Sequence, residues 1–371
     1  MAEFAVVPKI STYKTFAAYC AHAPIEAHDL VFAAGSACRR MGEYFKTAAA
    51  VVDFSKYPSG EPTDSLVEAI ANDIAGTDYK RVVGIGGGTV LDVAKLFALK
   101  TVTPVTDLFL KKFPPKREKR LVLIPTTCGT GSEMTNISIL ELTAIQSKFG
   151  LAVPELFADE AILIPELIEN LPRSVFATSS IDALIHSIES FISPKAGAFT
   201  KLFSQRAMTM ILNGYQLIAE KGEGARFALS EDFLLASAFA GIAFGNAGCA
   251  AVHAMSYPLG TARHVPHGEA NYAMFSGVYK TYQKMKPNGS IQELNALLSD
   301  ILSCDEAEVY DALDRLLNKI LQKKSLREYG VSEAELAQYT QSVFEKQQRL
   351  LANNYVPFDE AIIKEIYLQL Y

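Results

Sequence analysis

The sequence is most informative first for what it lacks. Its five cysteines are scattered, with no Cys-x-x-Cys pair, and an odd count suits a reducing compartment. Positive charge is in deficit: 35 Lys and Arg against 41 Asp and Glu give a net charge of -6. That balance argues against nucleic acid or an anionic membrane as partner. The opening Met-Ala-Glu-Phe-Ala-Val-Val-Pro has neither the basic segment nor the apolar run of a secretion signal. No apolar stretch reaches bilayer-spanning length, and the nearest, residues 233–244, falls short. Repeats, low-complexity tracts and long linkers are absent too. What remains is a globular composition, 49% hydrophobic and 20% charged, expected to be soluble and cytoplasmic. At 371 residues the chain exceeds one ordinary core, so two domains are expected.

In the first half, short apolar runs alternate with helical segments. Strands are expected at 30–34, 48–53, 81–85, 121–125 and 161–164, with helices after the first and over 64–74. Apolar strands without polar alternation, separated by helices, imply a parallel sheet covered on both faces. This predicts a Rossmann-like α/β domain over residues 1–165. Its third strand runs into Gly86-Gly87-Gly88-Thr89-Val-Leu-Asp92. Glycines there allow a tight turn and close backbone approach, and a helix start offers free N–H groups to a pyrophosphate. Thr89 and Asp92 fit a capping pattern for that helix. The motif is not the standard Gly-x-Gly-x-x-Gly, so by itself it names no dinucleotide, and a plain tight turn would look alike. The next strand ends in Pro125-Thr126-Thr127-Cys128-Gly129-Thr130-Gly131-Ser132-Glu133, a second hydroxyl-rich loop where open α/β sheets bind ligands. The basic run 111–120 reads as a solvated connector.

After residue 164 strand signals fade, and residues 166–371 are expected to form an all-α domain that binds metal. Asp182 and His186, at i and i+4, share one helical face. His253 is expected late in a small-residue helix that Pro258 and Gly260 break, and His267 follows Pro266 at the start of the next. Each histidine alone reads as an ordinary buried residue. Together, one carboxylate and three imidazoles make a four-ligand site for a divalent metal, Fe²⁺ or Zn²⁺. Cys249, one turn before His253, is an alternative soft ligand, though it is expected to pack within its helix.

Taken in order, Gly-Gly-Gly-Thr-x-x-Asp-x-Ala-Lys, Pro-Thr-Thr-x-Gly-Thr-Gly-Ser-Glu, Asp-Ala-Leu-Ile-His, His-Ala-Met-x-x-Pro-Leu-Gly and Pro-His-Gly-x-Ala-Asn resemble the iron-containing (group III) alcohol dehydrogenases nearly end to end. The resemblance implies hydride transfer between NAD(H) and a small hydroxy acid or its semialdehyde, 4-hydroxybutyrate and succinate semialdehyde above all. Another small alcohol, diol or aldehyde is the alternative. A lyase like dehydroquinate synthase would need a dense basic cluster in its metal domain, and none is found. By the same resemblance Asp182, His186, His253 and His267 hold the metal. Gly86, Gly87, Gly88, Thr89 and Asp92 face the pyrophosphate, and Thr126, Thr127, Thr130 and Ser132 lie along the ribose and nicotinamide. Lys148 contacts the cofactor. A homodimer or higher homo-oligomer is implied.

The sequence also departs from the family pattern. Tyr257 stands where a histidine is common, so a proton relay falls to Tyr257, His264 or water. Glu61-Pro62-Thr63 replaces Asn-Pro-Thr. The 30–34 strand ends without the acid that excludes a 2′-phosphate, and Arg39 and Arg40 follow, so NADP stays open beside NAD. Arg263, His264, Asn136 and Tyr257 are the candidates to meet a substrate carboxylate.

Overall fold

The computed structural model describes residues 3–58, 60–145 and 147–371. It divides into two compact units.

The first unit, Val6–Leu171, is built on six parallel strands. Five were expected: β2 (Asp29–Ala33), β3 (Ala50–Asp53), β4 (Arg81–Gly86), β5 (Arg120–Pro125) and β8 (Glu160–Leu163). The sixth, β1 (Lys9–Thr12), lies on the sheet edge, and the order is β1-β8-β5-β4-β2-β3. A separate antiparallel hairpin, β6 (Ile137–Leu142) with β7 (Ser147–Ala152), was not anticipated. Residues alternate between the two faces of each strand, and both faces are covered. Leu30, Phe32, Val82, Leu121 and Leu123 pack with α3 (Asp64–Asp73), α4 (Gly88–Leu96), α5 (Val105–Phe109) and the hairpin. Val31, Ala33, Val83, Ile85, Val122 and Ile124 pack with α1 (Phe16–His22) and α2 (Gly35–Met41). That double burial is why the strands read as unbroken apolar runs.

The division falls after Leu171 rather than after 165. The short helix α6 (Glu166–Glu169) belongs to the sheet unit, because Leu167 enters its core and the Glu166 carboxylate accepts from the Phe16 N–H at 2.8 Å.

The second unit takes in Pro172–Tyr371 and the N-terminal residues through Ala5; Ala5 exchanges two backbone hydrogen bonds with the Asn246 side chain, at 2.8 and 3.0 Å. Among the described residues it is all helical: α7 (Arg173–Ile192), α8 (Ala198–Lys221), α9 (Ala225–Ala228), α10 (Ser230–Ala247), α11 (Ala251–Arg263), α12 (His267–Met285), α13 (Ser290–Leu302), α14 (Val309–Ile320), α15 (Glu333–Lys346), α16 (Gln348–Leu351) and α17 (Glu360–Leu370). Helices α7 and α10 bury nearly their whole circumference, as an apolar central helix must. No single helix among the described residues is long and apolar enough to cross a membrane.

The break in the 249–272 stretch is not where the sequence suggested. Helix α10 stops at Gly248, whose φ of 78° suits glycine, and the chain turns 107° into α11. His253 therefore sits in the first turn of α11, not late in a helix. Pro258 and Gly260 lie inside α11 without ending it. A proline there removes the bond to the Ala254 carbonyl. Tertiary support is close by: the Tyr367 hydroxyl donates to the next carbonyl, Met255, at 2.7 Å. The helix ends instead at His264, in the left-handed region with φ 52°.

Candidate metal centre

Helix α7 presents Asp182 and His186 one turn apart, the first turn of α11 presents His253, and the first residue of α12 presents His267. The four side chains converge. Asp182 Oδ1 lies 3.8 Å from His253 Nε2 and 3.7 Å from His267 Nε2. Asp182 Oδ2 lies 3.9 Å from His186 Nδ1. One ligand atom from each falls within 4.8 Å of all the others. The His186 ring is stacked between Phe244 and His253, at 4.1 and 4.6 Å between centroids.

Two observations test this cluster as a metal site. Buried polar atoms are normally hydrogen-bonded, yet His186 Nδ1 and His253 Nε2 are buried without a partner, and both point at the same carboxylate. Spacing agrees as well: metal–ligand bonds of about 2.1 Å in a tetrahedron put ligand atoms about 3.4 Å apart, close to the 3.7–3.9 Å seen. The residues fit a divalent ion.

Burial alone would raise the Asp182 pKa. His186, His267 and His253, with a hydrogen bond from Asn271, outweigh it and hold the carboxyl below its usual value. The site is thus poised as an anion among imidazoles.

Two supporting residues escaped the sequence reading. Asn271, one turn beyond His267 on α12, is fully buried and brings its Nδ2 within 2.8 Å of Asp182 Oδ1 and 3.2 Å of His267 Nε2. Glu189 meets His253 Nδ1 at 2.5 Å. Their only signal was spacing, i+4 from His267 and i+7 from Asp182. Contrary to expectation, Cys249 is not packed in a helix. It lies half-buried in the link between α10 and α11, its sulfur within 4.8 Å of ligand atoms of Glu189 and His253. Burial resists its ionisation, but His253 and His186 pull its pKa down.

Of the relay and carboxylate candidates, Tyr257 is brought to the cluster: its ring lies 6.1 Å from that of His267. His264 is exposed at the C-terminus of α11. Arg263 is engaged elsewhere, donating to Glu335 at 2.6 Å and to the Gly330 carbonyl at 3.0 Å. Asn136 lies half-buried in the sheet unit, just before β6.

In the sheet unit the two glycine- and hydroxyl-rich loops come together. A Cβ on Gly87 would lie 3.2 Å from Thr127 Cγ2, and one on Gly88 would lie 2.6 Å from Thr130 Cγ2. A Cβ on Gly86 would lie 2.5 Å from Val90 Cβ. Thr126 joins the turn through its N–H to the Gly86 carbonyl at 2.9 Å. The capping expectation fails. Gly87 is the N-cap of α4, which has no side-chain cap, so Thr89 is the second residue of the helix and cannot cap it.

Asp92 instead holds the loops in place. Its carboxylate accepts from the Ser132 hydroxyl at 2.5 Å, from the Ile139 N–H at 2.9 Å and from Lys95 Nζ at 3.2 Å. Lys95, fully buried, also donates to Ser132 Oγ at 2.6 Å, to the Ile137 carbonyl at 2.5 Å and to Thr135 Oγ1 at 3.2 Å. Ser132 is thus buried in this network. Lys148 is buried on β7 and pairs with Glu61 at 3.0 Å. Arg39 and Arg40 are exposed in the last turn of α2.

Two family models match the chain: "Iron-containing alcohol dehydrogenase" over residues 14–165 and "Fe-containing alcohol dehydrogenase family, C-terminal" over residues 176–371. The chain is 50% identical, over 89% of its own length and 89% of the relative's, to 4-hydroxybutyrate dehydrogenase of Clostridium kluyveri. It is 34% identical to long-chain-alcohol dehydrogenase 1 of Geobacillus thermodenitrificans, over 78% of this chain and 74% of that one. Among solved structures, sulfoacetaldehyde reductase from Bifidobacterium kashiwanohense in complex with NAD⁺ shares the fold, with a TM-score of 0.85, 22% identity, and coverage of 100% of this chain and 98% of that one.

Proposed function

The chain belongs to the iron-containing alcohol dehydrogenase family, and from that premise we propose that it interconverts 4-hydroxybutyrate and succinate semialdehyde with NAD⁺/NADH. The observation that carries the chemistry is the convergence of Asp182 with His186, His253 and His267 around two buried, unpartnered imidazole nitrogens. The choice of substrate rests on the 50% identity to the Clostridium kluyveri enzyme.

Asp182, His186, His253 and His267 would hold Fe²⁺ or Zn²⁺; the donor set suits either. When bound, the ion supplies Lewis acidity at the substrate oxygen and the nicotinamide supplies hydride chemistry. The remaining work belongs to the chain. Gly87, Gly88 and Thr89 offer backbone N–H groups at the uncapped start of α4, where a pyrophosphate binds. Thr126, Thr127 and Thr130 line the adjoining loop against the ribose and nicotinamide, while Asp92, Lys95 and Ser132 keep the two loops in register. Tyr257, placed beside His267, is the residue that passes the hydroxyl proton on to water, since His264 stands exposed at the end of α11. The enzyme works in the cytoplasm as a homodimer or larger homo-oligomer.

Anaerobic oxidation of NADH with succinate semialdehyde, after reconstitution with Fe²⁺ or Zn²⁺, tests this reading. Turnover is expected, with a kcat/KM at least about tenfold above that for butyraldehyde, because a site built for a carboxylate leaves polar groups unpaired without one. Equal efficiency with the two aldehydes would remove the hydroxy-acid assignment. The same assay with NADPH decides the cofactor.

A further inference from the structure

The geometry points to Glu189 as a positioning residue for the metal centre, fixing both the backbone and the ring of His253. The inference rests on the metal reading above.

Glu189 is one of the most deeply buried acids in the helical unit, 1% exposed. Its only ion-pair partner among the described residues is His253; no Lys or Arg pairs with it. A buried carboxylate without a cation is costly unless several donors satisfy it. Three do. Oε2 accepts from the Ala250 N–H at 3.1 Å and Oε1 from the Val252 N–H at 2.8 Å. Oε2 also meets His253 Nδ1 at 2.5 Å.

The two backbone contacts supply what α11 lacks. That helix has no side-chain cap of its own, and the first N–H groups of a helix need partners. A carboxylate there also complements the helix dipole. Glu189 thus fixes the turn that carries His253.

The third contact sets the ring. A carboxylate oxygen only accepts, so His253 Nδ1 carries a proton and, in the neutral ring that a metal requires, Nε2 is left with the lone pair. Nε2 is the atom that faces Asp182 Oδ1 at 3.8 Å and has no partner. Asp182, His186 and Glu189 all project from α7. One helix therefore carries two ligands and aligns the third. Carboxylate partners of this kind orient ligating imidazoles and raise their basicity, and losing one typically costs about 10–100-fold in metal affinity.

The test uses the metal-free full chain, titrated with Zn²⁺ by calorimetry beside Glu189→Gln and His267→Ala. Glutamine keeps the size but offers one acceptor oxygen for three donors. Glu189→Gln is expected to weaken Zn²⁺ binding about 10–100-fold with its circular dichroism unchanged, and Glu189→Asp to recover part of that loss. In the zinc-loaded parent, ¹⁵N resonances of labelled histidine are expected to place the His253 proton on Nδ1. A Glu189→Gln variant that melts lower but binds Zn²⁺ within about threefold of the parent would show a helix cap and nothing more, overturning the proposal. A proton on Nε2 in the parent overturns it as well, and needs no variant to fold. If the parent itself fails to bind Zn²⁺, the metal reading falls and takes this one with it. If only His267→Ala loses binding, the metal reading stands and Glu189 has no part in it.

Discussion

A methyl group placed on Gly268 would lie 1.9 Å from the carbonyl oxygen of Thr178. The obstacle is backbone, one turn before Asp182 on α7, and the Asp182 Cβ itself is 3.0 Å away. The missing side chain is what lets the start of α12 reach α7, and so lets His267 stand 3.7 Å from Asp182. A small residue after His267 is a condition of the four-residue cluster.

Gly268→Ala is therefore expected to separate the two helices, since neither backbone can yield as a side chain would. Overpacking of this kind costs about 1–3 kcal/mol. A lower urea midpoint should be accompanied by a metal-to-protein ratio well below that of the parent, measured by atomic emission. A variant that folds and retains a full complement of metal would show that the helices separate without disturbing the ligands.

His267→Ala removes one of the four proposed ligands and leaves every residue of the proposed dinucleotide loops in the sheet unit unchanged. Turnover should fall by more than the roughly 10–100-fold seen for supporting residues. The dissociation constant for NADH, read by fluorescence, should stay within about threefold. Retained turnover would remove His267 from the ligand set.

How far these features could be read in advance follows from their physics. Strands β2, β4 and β5 were visible because both faces are buried and apolar. Edge strand β1 was not, since Lys9–Thr12 is short and mostly exposed. The hairpin escaped because β6 carries Ile137 and Ile139 on its more open face opposite Leu140 and Leu142, which hides the alternation. Asp182 and His186 announced themselves by helical spacing. Pro258 misled, because its disruption of α11 is met by tertiary contacts no local rule contains. Asp92 looked like a cap for α4. Its actual partners, Ser132 and Ile139, lie 40 and 47 residues away, beyond the reach of any local pattern.

The paired loops of the sheet unit make a third expectation. In Gly88→Ala the new methyl would meet Thr130 Cγ2 at 2.6 Å, the end of a side chain rather than a backbone atom. The loop should give way, weakening NADH binding by about tenfold while stability falls by only about 1 kcal/mol. Adding Thr130→Ala removes the clashing atom, so the double variant should regain stability relative to Gly88→Ala alone. Residues in contact are expected to couple in this way. Strictly additive effects on the urea midpoint would mean that the two loops do not touch in solution.

Glu133, at the end of the hydroxyl-rich loop, gives the last expectation. Its side chain is buried and Oε1 has no hydrogen-bond partner. Burial raises its pKa from 4.5 to about 7, against a smaller opposing pull from its own backbone and Lys95. The folded protein therefore holds this proton more tightly than the unfolded chain. Its stabilising contribution is fully present below about pH 4.5, where both states are protonated. It declines as pH rises, because the unfolded chain ionises first, and is gone once pH passes the folded value near 7. The whole swing is at most about 3.5 kcal/mol, at about 1.4 kcal/mol per pKa unit. Glu133→Gln keeps Lys95 in place and removes the titration. Between pH 5 and 8 the parent should lose urea resistance relative to this variant, with the difference levelling off above the folded pKa. Parallel curves across that range would show that the Glu133 carboxyl is ionised within the fold, which its unpartnered oxygen argues against.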